Sequence, residues 1–188
     1  HAGTRIVGVD PEPKVAEPPP DSTIVAQTSD DFFADPLALA EESIDLAFVD
    51  GLHWWEQTLR DVANLEHHAS PDGTILIHDC NPIDEITSAR ARTTVVWSGD
   101  IWKTVVALRR YRPDLLVHTV DVEPTGLAIV TGLDPANTTL FDRYDEIITS
   151  IDQLSYADLE SGDRSDLLGL VPADWPAVRS LLNTAPGR

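Results

Sequence analysis

Three apolar runs in this chain each lead to an aspartate. They are Ile6-Val7-Gly8-Val9-Asp10, Leu46-Ala47-Phe48-Val49-Asp50 and Ile75-Leu76-Ile77-His78-Asp79. Asp50 is followed by Gly51-Leu52-His53, and Asp79 by Cys80-Asn81-Pro82. An ionised carboxylate offers acceptor oxygens, and an imidazole titrates near neutrality. Such groups brought together can hold a hydroxyl-bearing ligand or a cation and can move a proton. The alternative is a set of solvated acids. Acids clustered without partners would repel one another and raise each other's pKa.

What positions these residues is the pattern around them. Thr4 to Asp10 reads as a buried strand meeting a proline-rich loop, and Thr23 to Gln27 as a second short strand. A helix is expected over Asp35 to Glu42. Ile44 to Asp50 is a further strand. Glu56 to His68 then sets Leu59, Val62, Ala63 and Leu65 on one helical face. Ser70-Pro71-Asp72-Gly73 reads as a turn before the strand Thr74 to Asp79. Near-continuous apolar strands separated by amphipathic helices predict a parallel α/β sheet covered on both faces. Ligands in such sheets collect at the carboxyl ends of the strands, where all three aspartates fall. Ile101 to Tyr111 reads as a helix. Leu115 to Val122 and Gly126 to Thr131 read as strands whose short connection requires an antiparallel pair. The segment from 141 to 188 has helical patches, with an apolar helix face expected from Leu167 to Leu182. It is read as a helical extension of one domain whose body spans residues 1–140.

The chain has 188 residues with 32 acidic against 13 basic side chains, a formal net charge of −19. That field repels a nucleic-acid backbone or an anionic membrane surface, so a small-molecule partner is expected. Cys80 has no second cysteine to pair with, and no run reaches the roughly 18 apolar residues of a membrane span. A cytoplasmic location is the resulting expectation. Self-association is left open.

The Asp50-Gly51-Leu52-His53 motif, the helix after it, the Pro71-Asp72-Gly73 turn and the strand ending in His78-Asp79 together resemble one family. It is the class I, Rossmann-like S-adenosylmethionine-dependent methyltransferases, in the group that includes sugar and macrolide O-methyltransferases. The chain is more distantly similar to catechol-type O-methyltransferases. The resemblance runs from about Thr4 to Thr131 and is densest from Ile44 to Pro82. It implies a mostly parallel twisted sheet closed by a C-terminal antiparallel hairpin. It also implies a strand and glycine-rich loop ahead of Asp10, and this sequence begins too late to contain them.

Residue by residue, the resemblance places Asp10 on the ribose hydroxyls of S-adenosylmethionine and Ser29 and Asp30 at the adenine edge, where Phe32 or Phe33 would stack. Asp50 borders the cofactor, and with Asp79 it would hold one divalent cation, with His78 and Asn81 as further ligands. Hard oxygen donors favour magnesium. The related families set an acid beside the second aspartate or an asparagine directly after it, whereas His78 and Cys80 stand there here. His53 would act as general base, taking the acceptor's proton as the methyl group is displaced in line. Each role has a plainer counterpart. Asp10 would cap a loop, Ser29 and Asp30 would form a turn, His53 would start a helix, and Trp54, Trp55, Trp97 and Trp102 would fill core rather than line an acceptor pocket. His67 and His68 are read as structural, at a helix C-terminus.

The expected function is therefore methylation of a hydroxyl on a sugar or polyhydroxylated small molecule, with S-adenosylmethionine and Mg2+ or another divalent cation. Against it stands a non-catalytic relative that binds a nucleoside or a partner. A nicotinamide dehydrogenase shares the ribose-binding aspartate but calls for an all-parallel sheet end.

Overall fold

The computed structural model describes residues 5–35, 37–39 and 43–183. It forms two compact units, His1–Glu42 and Ser43–Arg188. In the first, β1 (Ile6–Val9) and β2 (Ser22–Val25) pair in parallel, with Val9 opposite Val25. The backbone N–H of Asp10 continues the ladder to Val25 O at 3.1 Å. A helix, α1 (Ser29–Ala34), follows. It begins six residues earlier than the helix expected over 35–42. Thr28 supplies the start, its hydroxyl accepting the Asp31 N–H at 3.1 Å as an N-cap does. Asp35, the residue before Pro36, closes the helix, since a proline disfavours helical backbone in its predecessor. Residues 37–39 form a turn, and Pro36 and residues 40–42 of the expected helix lie outside the described residues.

The second unit opens with β3 (Ile44–Val49), α2 (Trp55–His67), β4 (Ala69–His78) and α3 (Trp102–Tyr111). Then come β5 (Leu116–Asp121) and β6 (Leu127–Thr131), the antiparallel hairpin foreseen. The helices α4 (Thr139–Asp142), α5 (Tyr144–Ile151), α6 (Tyr156–Ser161) and α7 (Arg164–Leu168) precede β7 (Leu170–Pro172) and α8 (Trp175–Asn183). The sheet order is β3-β4-β6-β5-β7. β3 and β4 run parallel, as do β5 and β7, while β6 runs against both of its neighbours. The architecture is thus mixed α/β, with a mostly parallel central sheet and helices.

Two local readings change. Ser70 to Gly73 do not precede the strand. They bulge out of it, because Ile44 pairs with Ala69 while Leu46 already pairs with Thr74. Two steps on β3 therefore face five on β4. The stretch from Leu167 to Leu182 is not one helix either. Gly169, at φ +59°, ends α7 in a left-handed turn, and Leu170–Pro172 then joins the sheet beside β5. Three strand residues between two turns carry too little periodicity to be read from sequence.

Alternation along the strands decides what each face does. Ala47, Val49, Ile75 and Ile77 are buried against Leu59, Val62 and Ala63 of α2 and Val105, Val106 and Leu108 of α3. Leu46 and Phe48, on the other face of β3, are 63% and 59% exposed, so at this strand one face is covered and the other open. Ile147, Ile151, Leu159 and Leu168 enter the same core, which makes α5, α6 and α7 part of the body of this unit.

One buried ion pair ties the ends of the two main helices. Arg112, directly after α3, donates through Nη2 to Glu66 Oε1 near the end of α2 at 2.8 Å and through Nη1 to Glu66 Oε2, and both residues are 1% exposed. Glu66 Oε1 also accepts the Asp134 N–H at 3.1 Å. Removing Arg112 leaves the buried Glu66 carboxylate without its cation. Arg112→Ala should therefore cost about 3–5 kcal/mol, read as a lowered urea midpoint, far more than an exposed arginine such as Arg143.

Candidate active site

Parallel pairing of β3 with β4 sets Val49 opposite Ile77. Asp50 leaves the first strand at the edge where His78 and Asp79 leave the second. His78 Nδ1 lies 3.6 Å from Asp50 Oδ1 and 3.1 Å from Asp79 Oδ2. His53 enters the same space from the loop after β3, with Nε2 3.5 Å from Asp50 Oδ1 and Nδ1 3.4 Å from Asp79 Oδ2. The four side chains line one narrow depression walled by Val49, Thr58, Ile77 and Ile101.

Backbone conformation aims these groups. His53 and Asp79 have φ of 58° and 63°, a left-handed geometry that costs a non-glycine residue on the order of 1–3 kcal/mol and persists only where its surroundings impose it. Asp79 is 5% exposed. Its Oδ1 accepts a short hydrogen bond from the Thr125 hydroxyl, in the turn between β5 and β6, which leaves Oδ2 facing the two imidazoles. The hairpin thus reaches back to fix the carboxylate.

The charges act on one another. The hydrogen bond from His53 holds the Asp50 carboxyl below the usual carboxylate range, against burial, which works to raise it. In return, Asp50 raises the His53 imidazole above its ordinary value. Burial opposes this, while the charges of Asp79 and Asp50 add to it. Cys80, next to Asp79, is fully buried, and that burial pushes its thiol well up, so it is no nucleophile.

Asp50, His53 and Asp79 each place one potential ligand atom within 4.8 Å of the others, a spacing a metal ion can bridge. The donor chemistry fits, since carboxylate oxygens suit hard divalent cations and imidazole serves several metals. A second observation agrees with that fit. His53 Nδ1 and His78 Nδ1 are buried without a hydrogen-bond partner although both lie beside Asp79. Buried polar atoms are ordinarily satisfied. Asn81 points elsewhere, its amide donating to Asp121 Oδ1 at 2.9 Å and its carbonyl accepting from Arg164 at 3.3 Å.

The cofactor candidates other than Asp50 lie in the first unit. Asp10 is exposed at the end of β1, and its Oδ1 accepts the Glu12 N–H at 2.6 Å, the loop-capping role weighed against ribose binding. Ser29 and Asp30 open α1. Phe32 is buried with Phe33 packed edge-on to it at 5.2 Å, a core arrangement. Among the tryptophans, Trp55 and Trp102 are core at 1% and 2% exposure, Trp54 is exposed, and Trp97 lies flat against His53.

Residues 1–80 match the family model described as a methyltransferase domain. The match covers less than half of the chain and supports an S-adenosylmethionine-dependent methyltransferase. The matched span runs from before β1 to just past Asp79 and so takes in Asp10, Asp50, His53 and Asp79. The sheet of the second unit, with one antiparallel strand among parallel ones, is consistent with the Rossmann-like methyltransferase fold and departs from the all-parallel end of a dehydrogenase. No curated protein matches the chain. No described helix is long and apolar enough to cross a membrane.

The raised His53 makes stability depend on pH. A group whose folded pKa exceeds its unfolded value stabilises fully below the unfolded value and loses that contribution as pH rises through the folded one. In chelator, the urea midpoint of the wild type should therefore exceed that of His53→Asn by more at about pH 6 than at about pH 9. Asparagine is chosen because it tolerates the left-handed backbone. An equal gap at both pH values would show that His53 gains nothing from its carboxylate neighbours.

Proposed function

We propose that the chain is an S-adenosylmethionine-dependent methyltransferase that acts on oxygen, methylating a hydroxyl of a sugar or polyhydroxylated small molecule with the help of a divalent cation such as magnesium. The observation that carries this reading is the convergence of Asp50, His53 and Asp79, with one imidazole within 3.5 Å of two carboxylates. Asp50 and Asp79, with His78, would hold the cation, and Asp10, Ser29, Asp30 and Asp50 would meet the cofactor. S-adenosylmethionine supplies an electrophilic methyl group, and a bound cation lowers the pKa of a hydroxyl.

What the chain itself must do is orient the acceptor and take its proton. Displacement at the methyl carbon is in line, so the attacking oxygen has to be held at one angle and distance. His53 is suited to the proton because it sits in the depression and its ring is fixed from several sides. It is raised above its ordinary value, so the rate should climb with pH as His53 loses its proton. Trp54, 42% exposed one residue on, has the Arg90 guanidinium over its ring at 5.2 Å and would offer a substrate ring only the surface that Arg90 leaves open.

The first test is calorimetric titration of S-adenosylmethionine into protein carrying whatever residues precede His1, with and without magnesium. Micromolar binding is expected. Absence of binding in both conditions would favour the non-catalytic relative. Given an acceptor, His53→Ala should lower kcat by roughly 10²–10⁴-fold with cofactor affinity nearly intact. Asp50→Asn with Asp79→Asn should abolish the magnesium-dependent gain in rate, whereas full activity in excess chelator would remove the cation from the mechanism.

A further inference from the structure

The loop between β4 and α3 sends one short segment, Trp97 to Asp100, against His53. The Trp97 indole lies parallel to the imidazole, with centroids 4.5 Å apart and planes 7° from parallel, within the range of favourable aromatic stacking. Gly99 touches the other side of the residue. A Cβ built on it would fall 2.0 Å from His53 O and 2.8 Å from His53 Cβ, and Gly99 itself has φ +59°. Only glycine fits there without displacing the histidine backbone.

The segment is tied down on both sides. Trp97 Nε1 donates to Ala89 O at 2.6 Å, and the Arg92 guanidinium lies 5.8 Å from the centre of the indole. Ser98 is wholly buried, donating to Thr87 O through its backbone at 2.9 Å and through its hydroxyl at 3.0 Å. Asp100 Oδ1 accepts the Trp55 N–H at 3.0 Å, capping α2 from 45 residues away. Arg90 approaches the other Asp100 oxygen at 3.4 Å. A rigid strap therefore runs from Thr87 across His53 to the start of α2.

We infer that Trp97 and Gly99 are positioning residues for His53, the indole fixing the plane of the imidazole and the glycine admitting its left-handed backbone. His53 has two side-chain torsions, and the carboxylates at 3.5 and 3.4 Å hold only its nitrogens. The stacked indole removes the rotation that would swing the ring out of the depression. This inference rests on the reading of His53 as the working group of the site.

The test compares Trp97→Leu with Trp97→Phe in the full chain, matched for melting temperature. Both keep an apolar side chain, and only phenylalanine keeps a stacking face. The rate of His53 modification by diethyl pyrocarbonate, followed by mass spectrometry on metal-free protein, reports whether the ring is held. Trp97→Leu should speed modification several-fold, Trp97→Phe should stay near the wild type, and Gly99→Ala should resemble leucine. Equal rates in the wild type and both Trp97 variants would overturn the inference, as would acceleration by phenylalanine and leucine alike. A parallel titration with Mn2+ alone separates the two ideas. Failure of the wild type to bind Mn2+ would overturn the cation reading while the modification rates still decide the positioning. If the wild type binds, Trp97→Leu should weaken Mn2+ about 10–100-fold, the loss typical when support of a metal site is removed.

Discussion

A carboxylate that is almost fully withdrawn from water must have its charge met by neighbours, and Asp79 imposes that demand on this molecule. It stands at the end of β4, the strand between the parallel β3 and the antiparallel β6. One oxygen accepts a hydrogen bond from Thr125 in the hairpin turn, and the other faces imidazoles from the end of its own strand and from the loop after β3. Each partner depends on a different piece of the fold. The register of β3 on β4 brings in Asp50 and His53, and the β5–β6 turn brings in Thr125. The order of the strands is therefore what makes the cluster possible.

Much of this was legible in the sequence because it is local. Apolar runs closing on Asp10 and Asp50, or on His78-Asp79, announce strand ends, and four residues separate Asp50 from the helix that follows His53. The hairpin was legible too, since Glu123-Pro124-Thr125 is too short for a parallel crossover. What escaped is nonlocal or lacks a periodic signal. Trp97 was weighed as pocket lining or core, and nothing near it in sequence says that it stacks on a residue 44 positions earlier. Asp100 is an acid in a turn until the unpartnered start of α2 arrives beside it. Trp54, which precedes α2, has no side chain able to cap, and that was the one available hint that the cap must come from elsewhere. The helix at Ser29–Ala34 was missed because the apolar residues after Asp35 outweighed Thr28, whose hydroxyl sets the start.

Placement of the proposed cofactor residue Asp10 follows a different logic from placement of the acids at Asp50 and Asp79. Asp10 earns its backbone position from pairing of β1 with β2, and one of its oxygens already serves the loop through Glu12. Asp50 Oδ1 and Asp79 Oδ2 are turned toward imidazoles instead. The sequence motif is the same in the three cases, an acid at the end of an apolar run. The surroundings divide them into an exposed loop acid and two members of a charged cluster.

That cluster contains an opposition that bears on how His53 works. Asp50 and Asp79 favour the imidazolium, since a proton on His53 offsets their negative charge. A general base must begin without that proton. The two requirements are compatible only when something else answers the carboxylates, because two close acids left unpartnered would themselves take up protons. In a chain of net charge −19, with Arg90 committed to Glu56 and Asp100, the described arrangement brings no lysine or arginine to Asp50 or Asp79. For His53 to act as the proposed base, the neutralising charge is left to His78 or to a bound cation. On that proposal, cation binding and proton acceptance are one physical question rather than two.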